Sequence, residues 1–293
     1  MRGYLLLLIL FIGFYLFVTW KIQCRYNRLL NVQNQIDIMN TGSTYGYYDF
    51  DYSNLKVKGG NLANVPQYLD YDFILLKKYI HKVKIGGKVL IVLPDFVFAG
   101  GNTNDDKKVY YEALYPWEMK QFKIKRLLRF IWKAAKEPFT NTYKKEQDKW
   151  KGHVASFSEK EEHAKKRIHD WEKTLKIPDV KSDEITEELL KRIEDNKKIV
   201  LSMISLCIRE KREPVLLIPP TSEIMQKLVS KRCLKRYLRD PIEEIIQKTG
   251  IQCLDYMDQD EFGSVDLYLN SDCLNEKGRK LFTASVVEKL YEI

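Results

Sequence analysis

The sequence predicts an α/β protein: a three-layer α/β/α sandwich on a mostly parallel sheet, with a transmembrane helix at its N-terminus and a helical insertion. Three observations lead there. Short apolar and β-branched runs alternate with long helical patterns, the order expected when each strand is followed by a covering helix. One run, Val89–Leu93, is apolar without interruption, as a strand buried on both faces must be. Ahead of these, "YLLLLILFIGFYLFVTW" from Tyr4 to Trp20 carries no charge, and as a helix rising about 1.5 Å per residue it spans about 25 Å, slightly less than the hydrocarbon core of a bilayer.

That first run has Arg2 before it and Trp20, Lys21, Arg25 and Arg28 at or after its end. The flanks fit an interfacial belt, and no small-residue cleavage site follows, so an uncleaved anchor over residues 1–26 is expected in place of a signal peptide. The basic excess after the run argues for a cytoplasmic domain, but a large following domain can override that bias. The expectation is a single-pass protein of the cell membrane with its domain, residues 27–293, on the extracytoplasmic side.

Within that domain "QIDIMNTGS" reads as a strand entering a turn. "QYLDYDFILLKKYIHKV" follows as a helix with Leu69, Phe73, Leu76 and Ile80 on one face. Gly86 and Gly87 mark the turn into the Val89–Leu93 strand, and Pro94 ends it by lacking an N–H. From about 116 to 176 the chain is rich in Lys, Glu, Trp and Phe and has no strand-like run. It reads as a helical insertion whose amphipathic part carries Phe122, Leu127, Phe130 and Ile131, packed on the sheet or laid on the membrane surface. After Pro178 a helix capped by Ser182 or Asp183 is expected, because its first turn is acidic. "PVLLIPP" then reads as a strand, "TSEIMQKLVSKRCLKRYL" and "DPIEEIIQKTG" as helices, "IQCLDYM" as a strand and "NEKGRKLFTASVVEKLYEI" as the closing helix.

Composition narrows the function classes. The 293 residues are 45% apolar, enough to bury a full core, and the net charge of +9 is spread through mixed-sign helices such as "KEEHAKKRIHDWEK". Solvated helix faces account for that pattern, so no nucleic-acid partner is expected. Cys24, Cys207, Cys233, Cys253 and Cys273 show no CxxC spacing and are odd in number. They make neither a zinc signature nor a disulfide framework and read as buried free thiols. No cofactor or metal is expected.

In an open α/β sheet ligands sit at the carboxyl ends of the strands. The turn after the first strand places Ser43 there beside Gly42. A serine so placed exposes its hydroxyl for attack, with backbone N–H groups available to an oxyanion, although a Gly-Ser-Thr turn is also simply a turn with a satisfied hydroxyl.

Three stretches, "MNTGSTYGYYDFDYSN", "GGNLANVPQYLDYDFILLKKY" and "YLNSDCLNEKGRKLF", together resemble the membrane-anchored branch of the SGNH (GDSL-like) hydrolases. The branch is associated with modification of surface polysaccharides and is distantly similar to the D-alanyl transfer protein of teichoic-acid synthesis. The likeness spans the chain from about Gln35 onward, apart from the insertion. It implies an SGNH/flavodoxin-like fold, Ser43 as the nucleophile, and oxyanion donors at Gly59 or Gly60 with Asn61. It also implies the membrane as a partner through the N-terminal helix, and surface polysaccharide or its assembly machinery as another.

Two blocks depart from the family. After the second apolar strand, where the family offers an asparagine, this chain has Pro94-Asp95-Phe96, with Asn102 and Asn104 further on. In the last block the Asp and His that would complete a triad are replaced by Asn270 and Cys273. A positioned base is worth about 10² to 10⁴ in rate, so its loss predicts a catalytically impaired or non-catalytic member. The alternative is an active ester hydrolase or O-acyltransferase in which Ser43 is helped by Cys273 as a thiolate, by Asp272 as a weak base, or by another group. His81, His153, His163 and His169 read as surface residues.

Overall fold

The computed structural model describes residues 2–29, 35–103, 110, 113–121, 123–125, 127–128 and 154–291. The chain divides into two compact units, Met1–Gln33 with Asn104–Gln147, and Asn34–Thr103 with Asp148–Ile293.

The first unit contains helix α1, Arg2–Leu29. The charge-free run lies inside it, and Leu5 to Phe11 are all at least half exposed. Among the described residues no helix qualifies as long and apolar enough to cross a membrane. Of the predicted amphipathic stretch, Phe122, Phe130 and Ile131 lie outside the described residues.

The second unit is built on five parallel strands in the order β2-β1-β3-β4-β5, namely β1 Ile36–Asn40, β2 Gly59–Asn61, β3 Val83–Val92, β4 Glu213–Ile218 and β5 Cys253–Asp255. This is the flavodoxin-like 2-1-3-4-5 order, with its switch point between β1 and β3. Alternation along the strands sends Ile38, Leu90, Val92, Val215, Leu217 and Leu254 into one cluster with Phe50, Tyr256, Phe262, Phe282 and Val286. The intervening Met39, Val89, Ile91 and Leu216 are equally buried and belong to the opposite face. Helix α8, Glu276–Tyr291, covers the first face. Helices α3, Leu69–Tyr79, and α5, Glu187–Arg209, pack on each other. Burial of both strand faces is why the β3 and β4 sequences carry unbroken apolar runs.

Strand β2 has no counterpart in the sequence reading, because Gly-Gly-Asn has no β propensity of its own. It is held by register, with Met39 opposite Gly60 and Asn40 opposite Asn61. The N-cap of α5 is Thr186, whose hydroxyl accepts from Leu189 N at 3.3 Å, and not Ser182 or Asp183. Ser182 is occupied in a turn in which its N–H and hydroxyl both donate to Asp179 O.

The later part of the predicted insertion packs within this second unit. Helix α4, Phe157–Leu175, starts with a capping box between Ser156 and Glu159. Its Ala164, Ile168 and Trp171 pack on Ile224, Met225 and Leu228 of helix α6, Glu223–Leu228. Helix α7, Asp240–Thr249, begins with a proline in its first turn and ends on Gly250 in the left-handed region.

Candidate functional site at the carboxyl ends of the strands

Strand β1 delivers the Ser43 turn. Gly42 has φ +122, a value side chains rarely adopt, and a Cβ there would lie 3.2 Å from the Val92 Cβ. Its N–H donates to Asp72 Oδ1 at 2.9 Å. Helix α2, Thr44–Tyr48, follows, with Ser43 at its N-cap position but making no side-chain cap bond. The Ser43 Oγ accepts from the Gln67 N–H at 3.1 Å. The partly exposed hydroxyl is therefore held as an acceptor by main chain, with its own proton left to donate.

Asn61 does not face an incoming oxyanion. Its Nδ2 donates to Gly46 O at 2.8 Å, while its Oδ1 accepts from Asn40 Nδ2 at 3.1 Å and from Ala63 N at 2.9 Å. The Asn40 amide donates to the same Gly46 carbonyl at 2.9 Å. Two asparagines thus clamp α2 to the strand ends, and Gly46 permits the close approach, since a Cβ there would lie 2.4 Å from Thr41 O. Gly60 sits in the middle of β2 opposite Met39, so its backbone belongs to the sheet and not to the Ser43 turn. Gly59 begins the same strand.

Asn64 is a better-placed amide. Its backbone N–H donates to Gly42 O at 3.2 Å, next to Ser43, and its Nδ2 is buried with no hydrogen-bond partner. At the end of β4 the Thr221 hydroxyl is also buried and unpartnered. Unpaired buried donors cost free energy and call for a reason.

The loop Asn270–Leu274 reaches the same rim. Leu274 N donates to Asp49 Oδ1 at 2.9 Å, tying the loop to the end of α2. Tyr45 and Tyr48 of α2 lie within electrostatic reach of Asp272 and Cys273. Burial pushes both phenols up, and those two groups add to the shift. The Ser43 helix and the Cys273 loop therefore meet at one rim. Asn270 Oδ1 accepts from the N–H groups of Asp272 and Cys273 at 3.1 and 2.8 Å, which shapes the turn.

Asp272 is fully buried, and α4 supplies its counter-charge: Arg167 Nε donates to Asp272 Oδ2 at 2.5 Å. One turn earlier His163 Nδ1 lies 2.8 Å from the Ser271 Oγ and 4.0 Å from Asp272 Oδ1. His163 is thus no isolated surface residue but a neighbour of the site loop. Cys273 has its Sγ 3.6 Å from Asp272 Oδ1. Burial first, then the carboxylates of Asp272 and Asp49, push its thiol well above the ordinary value. A thiol so placed is neither a base nor a ready nucleophile.

Two further acids line the strand ends. Asp95, three residues past the end of β3, accepts from the Tyr45 Oη at 3.0 Å, and burial raises it to about 6. Asp72, which holds the Gly42 N–H, also accepts from Gln67 Nε2 at 2.5 Å, and burial raises it to about 7. Among the described residues no group of histidine, cysteine and acidic side chains could hold a metal ion.

No family model and no curated protein matches the sequence. Among solved structures the chain is similar to a Streptococcus pneumonia protein provisionally described as a platelet activating factor. The two are 12% identical, the match covers 98% of this chain and 99% of that one, and the TM-score is 0.44. A likeness of that degree carries no argument about chemistry, and the fold assignment stands on the sheet order and register themselves.

Two measurements probe this arrangement. Arg167→Ala leaves Asp272 buried without its partner and should cost about 3 kcal/mol in urea unfolding, the low end for a broken buried pair because Arg167 is 28% exposed. The pair replacement Arg167→Met with Asp272→Leu should recover most of that loss, since it strands no charge. For Asp72 the folded state binds its proton more tightly than the unfolded chain does, so its contribution is fully present below about pH 4 and is lost as the pH rises through about 7. Asp72→Asn keeps an acceptor for Gly42 and removes that titration. Its urea midpoint relative to wild type should rise between pH 4 and pH 8, and a constant offset would contradict the assignment.

Proposed function

We propose that this chain is a membrane-anchored, SGNH-hydrolase-like protein that serves cell-surface polysaccharide modification as a catalytically impaired or non-catalytic member, its strand-end rim binding a ligand without turning it over. One observation carries the reading. The nucleophile's turn is intact, yet Ser43 Oγ is held by the Gln67 N–H, and the frame of the Asp/His pair holds Asn270 and the protonated thiol of Cys273. A serine hydroxyl without a positioned base forgoes about 10² to 10⁴ in rate. The polysaccharide setting comes from the resemblance of the three sequence blocks.

Single-pass anchoring of α1 and an extracytoplasmic domain belong to the same proposal. What supports anchoring is the charge-free run Tyr4–Trp20 and the exposure of its leucines and phenylalanines, apolar surface of a kind that water-soluble proteins cover. Alkaline carbonate extraction tests the anchoring: the full chain should stay in the membrane pellet, and release into the supernatant would overturn it.

A second reading, an active ester hydrolase or O-acyltransferase, is favoured by His163. It stands 4.0 Å from the buried Asp272 although it comes from α4 and not from the site loop. Full-length protein in detergent, assayed on a generic acetyl ester beside Ser43→Ala, separates the readings. Equal background rates support the non-catalytic one. A Ser43-dependent rate selects the enzyme, and in that case His163→Gln should abolish it and Cys273→His should raise it.

A further inference from the structure

The opposite end of the sheet carries a feature that the strand-end site does not use. On β1, Ile36 pairs with Val83 and Ile38 with Lys88, so one intervening residue of β1 faces four of β3. The surplus, Lys84 to Gly87, bulges out of the ladder. Gly86 takes φ +72, and its N–H donates to Lys211 O at 2.9 Å, tying the bulge to the turn between α5 and β4. The result places two isoleucines in solvent, Ile85 at 70% exposure on the bulge and Ile208 at 58% in the last turn of α5.

Cations surround this apolar tip. Lys77 is in the last turn of α3, Arg209 ends α5, and Lys211 and Lys84 flank the contact between bulge and turn. Lys77 and Arg209 also line, with Phe73, Leu201 and Leu206, a shallow groove between α3 and α5. The nearby acids are paired with cations. Asp37 is 2.5 Å from Lys84, Glu210 is 3.5 Å from Arg209, and Glu213 is 2.6 Å from Lys88. Lys77 and Lys211 have no acidic partner among the described residues. Helix dipoles account for Lys77 and Arg209 as C-terminal cations, but they do not account for an isoleucine lifted out of a strand on a left-handed glycine.

We propose that the bulge Lys84–Gly87 and the turn at Ile208–Lys211 form a docking patch for the anionic lipid surface, with Ile85 and Ile208 entering the interface and Lys77, Arg209 and Lys211 facing the headgroups. Apolar tips ringed by cations suit that surface, where each lysine or arginine contributes about fivefold to binding. The sequence adds a reason to choose lipid over a soluble anion. In the sequence only residues 30–35 lie between α1 and β1, and Ile36, the first residue of β1, pairs with Val83 next to the bulge. The patch rests on the anchoring of α1, which carbonate extraction tests separately.

Hydrogen–deuterium exchange on the full chain in nanodiscs tests the patch. Residues 83–87 and 207–212 should exchange more slowly in discs containing phosphatidylglycerol than in discs of phosphatidylcholine alone. The slowing should vanish at about 1 M salt, where screening acts within about 3 Å, and in the Lys77→Glu/Arg209→Glu/Lys211→Glu variant, whose changed residues are exposed. Thr44–Tyr48 should exchange alike in both discs. Equal exchange in the two lipids, slowing that survives the charge reversal, or slowing produced by a soluble polyanion without anionic lipid would each overturn the proposal.

Discussion

The rim at the strand ends depends on a single ion pair. Asp272 has no exposure to water, and a carboxylate taken that far from solvent must be paired or neutralised. Arg167 provides the pairing from α4, a helix more than a hundred positions earlier in the chain. That contact holds α4 against the Asn270–Leu274 loop, brings His163 to Ser271, and leaves Cys273 enclosed as a neutral thiol. Here a guanidinium occupies the electrostatic role of a cation beside Asp272, but a guanidinium cannot give up its proton near neutrality and so cannot serve as a base.

The same rim concentrates buried acids to an unusual degree. Asp49, Asp72 and Asp95 are all raised by burial, while Asp272 is paired with Arg167. Burial favours the neutral form of each, and a neutral carboxyl can donate as well as accept. Together with the unpartnered Asn64 amide and Thr221 hydroxyl, these acids make the rim rich in hydrogen-bonding groups. Such a lining suits a hydroxyl-rich ligand better than an anion.

Much of the scaffold was legible from residue patterns, and the reason is physical. The β3 and β4 runs are buried on both faces, so only apolar residues fit them and the sequence shows it directly. The turn at Ser43 after β1 was legible because it needs Gly42 at its positive φ. Strand β2 was hidden, because three residues held by register need no propensity. Asn61 looked like an oxyanion donor from its place in the block, yet its amide is spent on Gly46 O, while Asn64, three positions on, is the one left unpaired. Arg167 and His163 could not be picked out among mixed-sign helical charges. Their only local signal was a spacing of four, which places them on one helix face without saying what that face meets.

The two ends of a parallel sheet are chemically different by construction, and this chain uses the difference. At the carboxyl ends the strands hand over to turns whose side chains face one another, so buried acids, amides and hydroxyls can be collected there. At the amino ends arrive the C-termini of α3 and α5, which favour lysine and arginine through the helix dipole. Polar ligand chemistry therefore gathers at one pole and surplus cations at the other without any separate device. The bulge at Gly86 is the exception, because nothing in parallel pairing requires an isoleucine to leave the ladder. A bulge that exposes an apolar side chain lowers the stability of the isolated domain, and a surface that covers Ile85 would offset that loss.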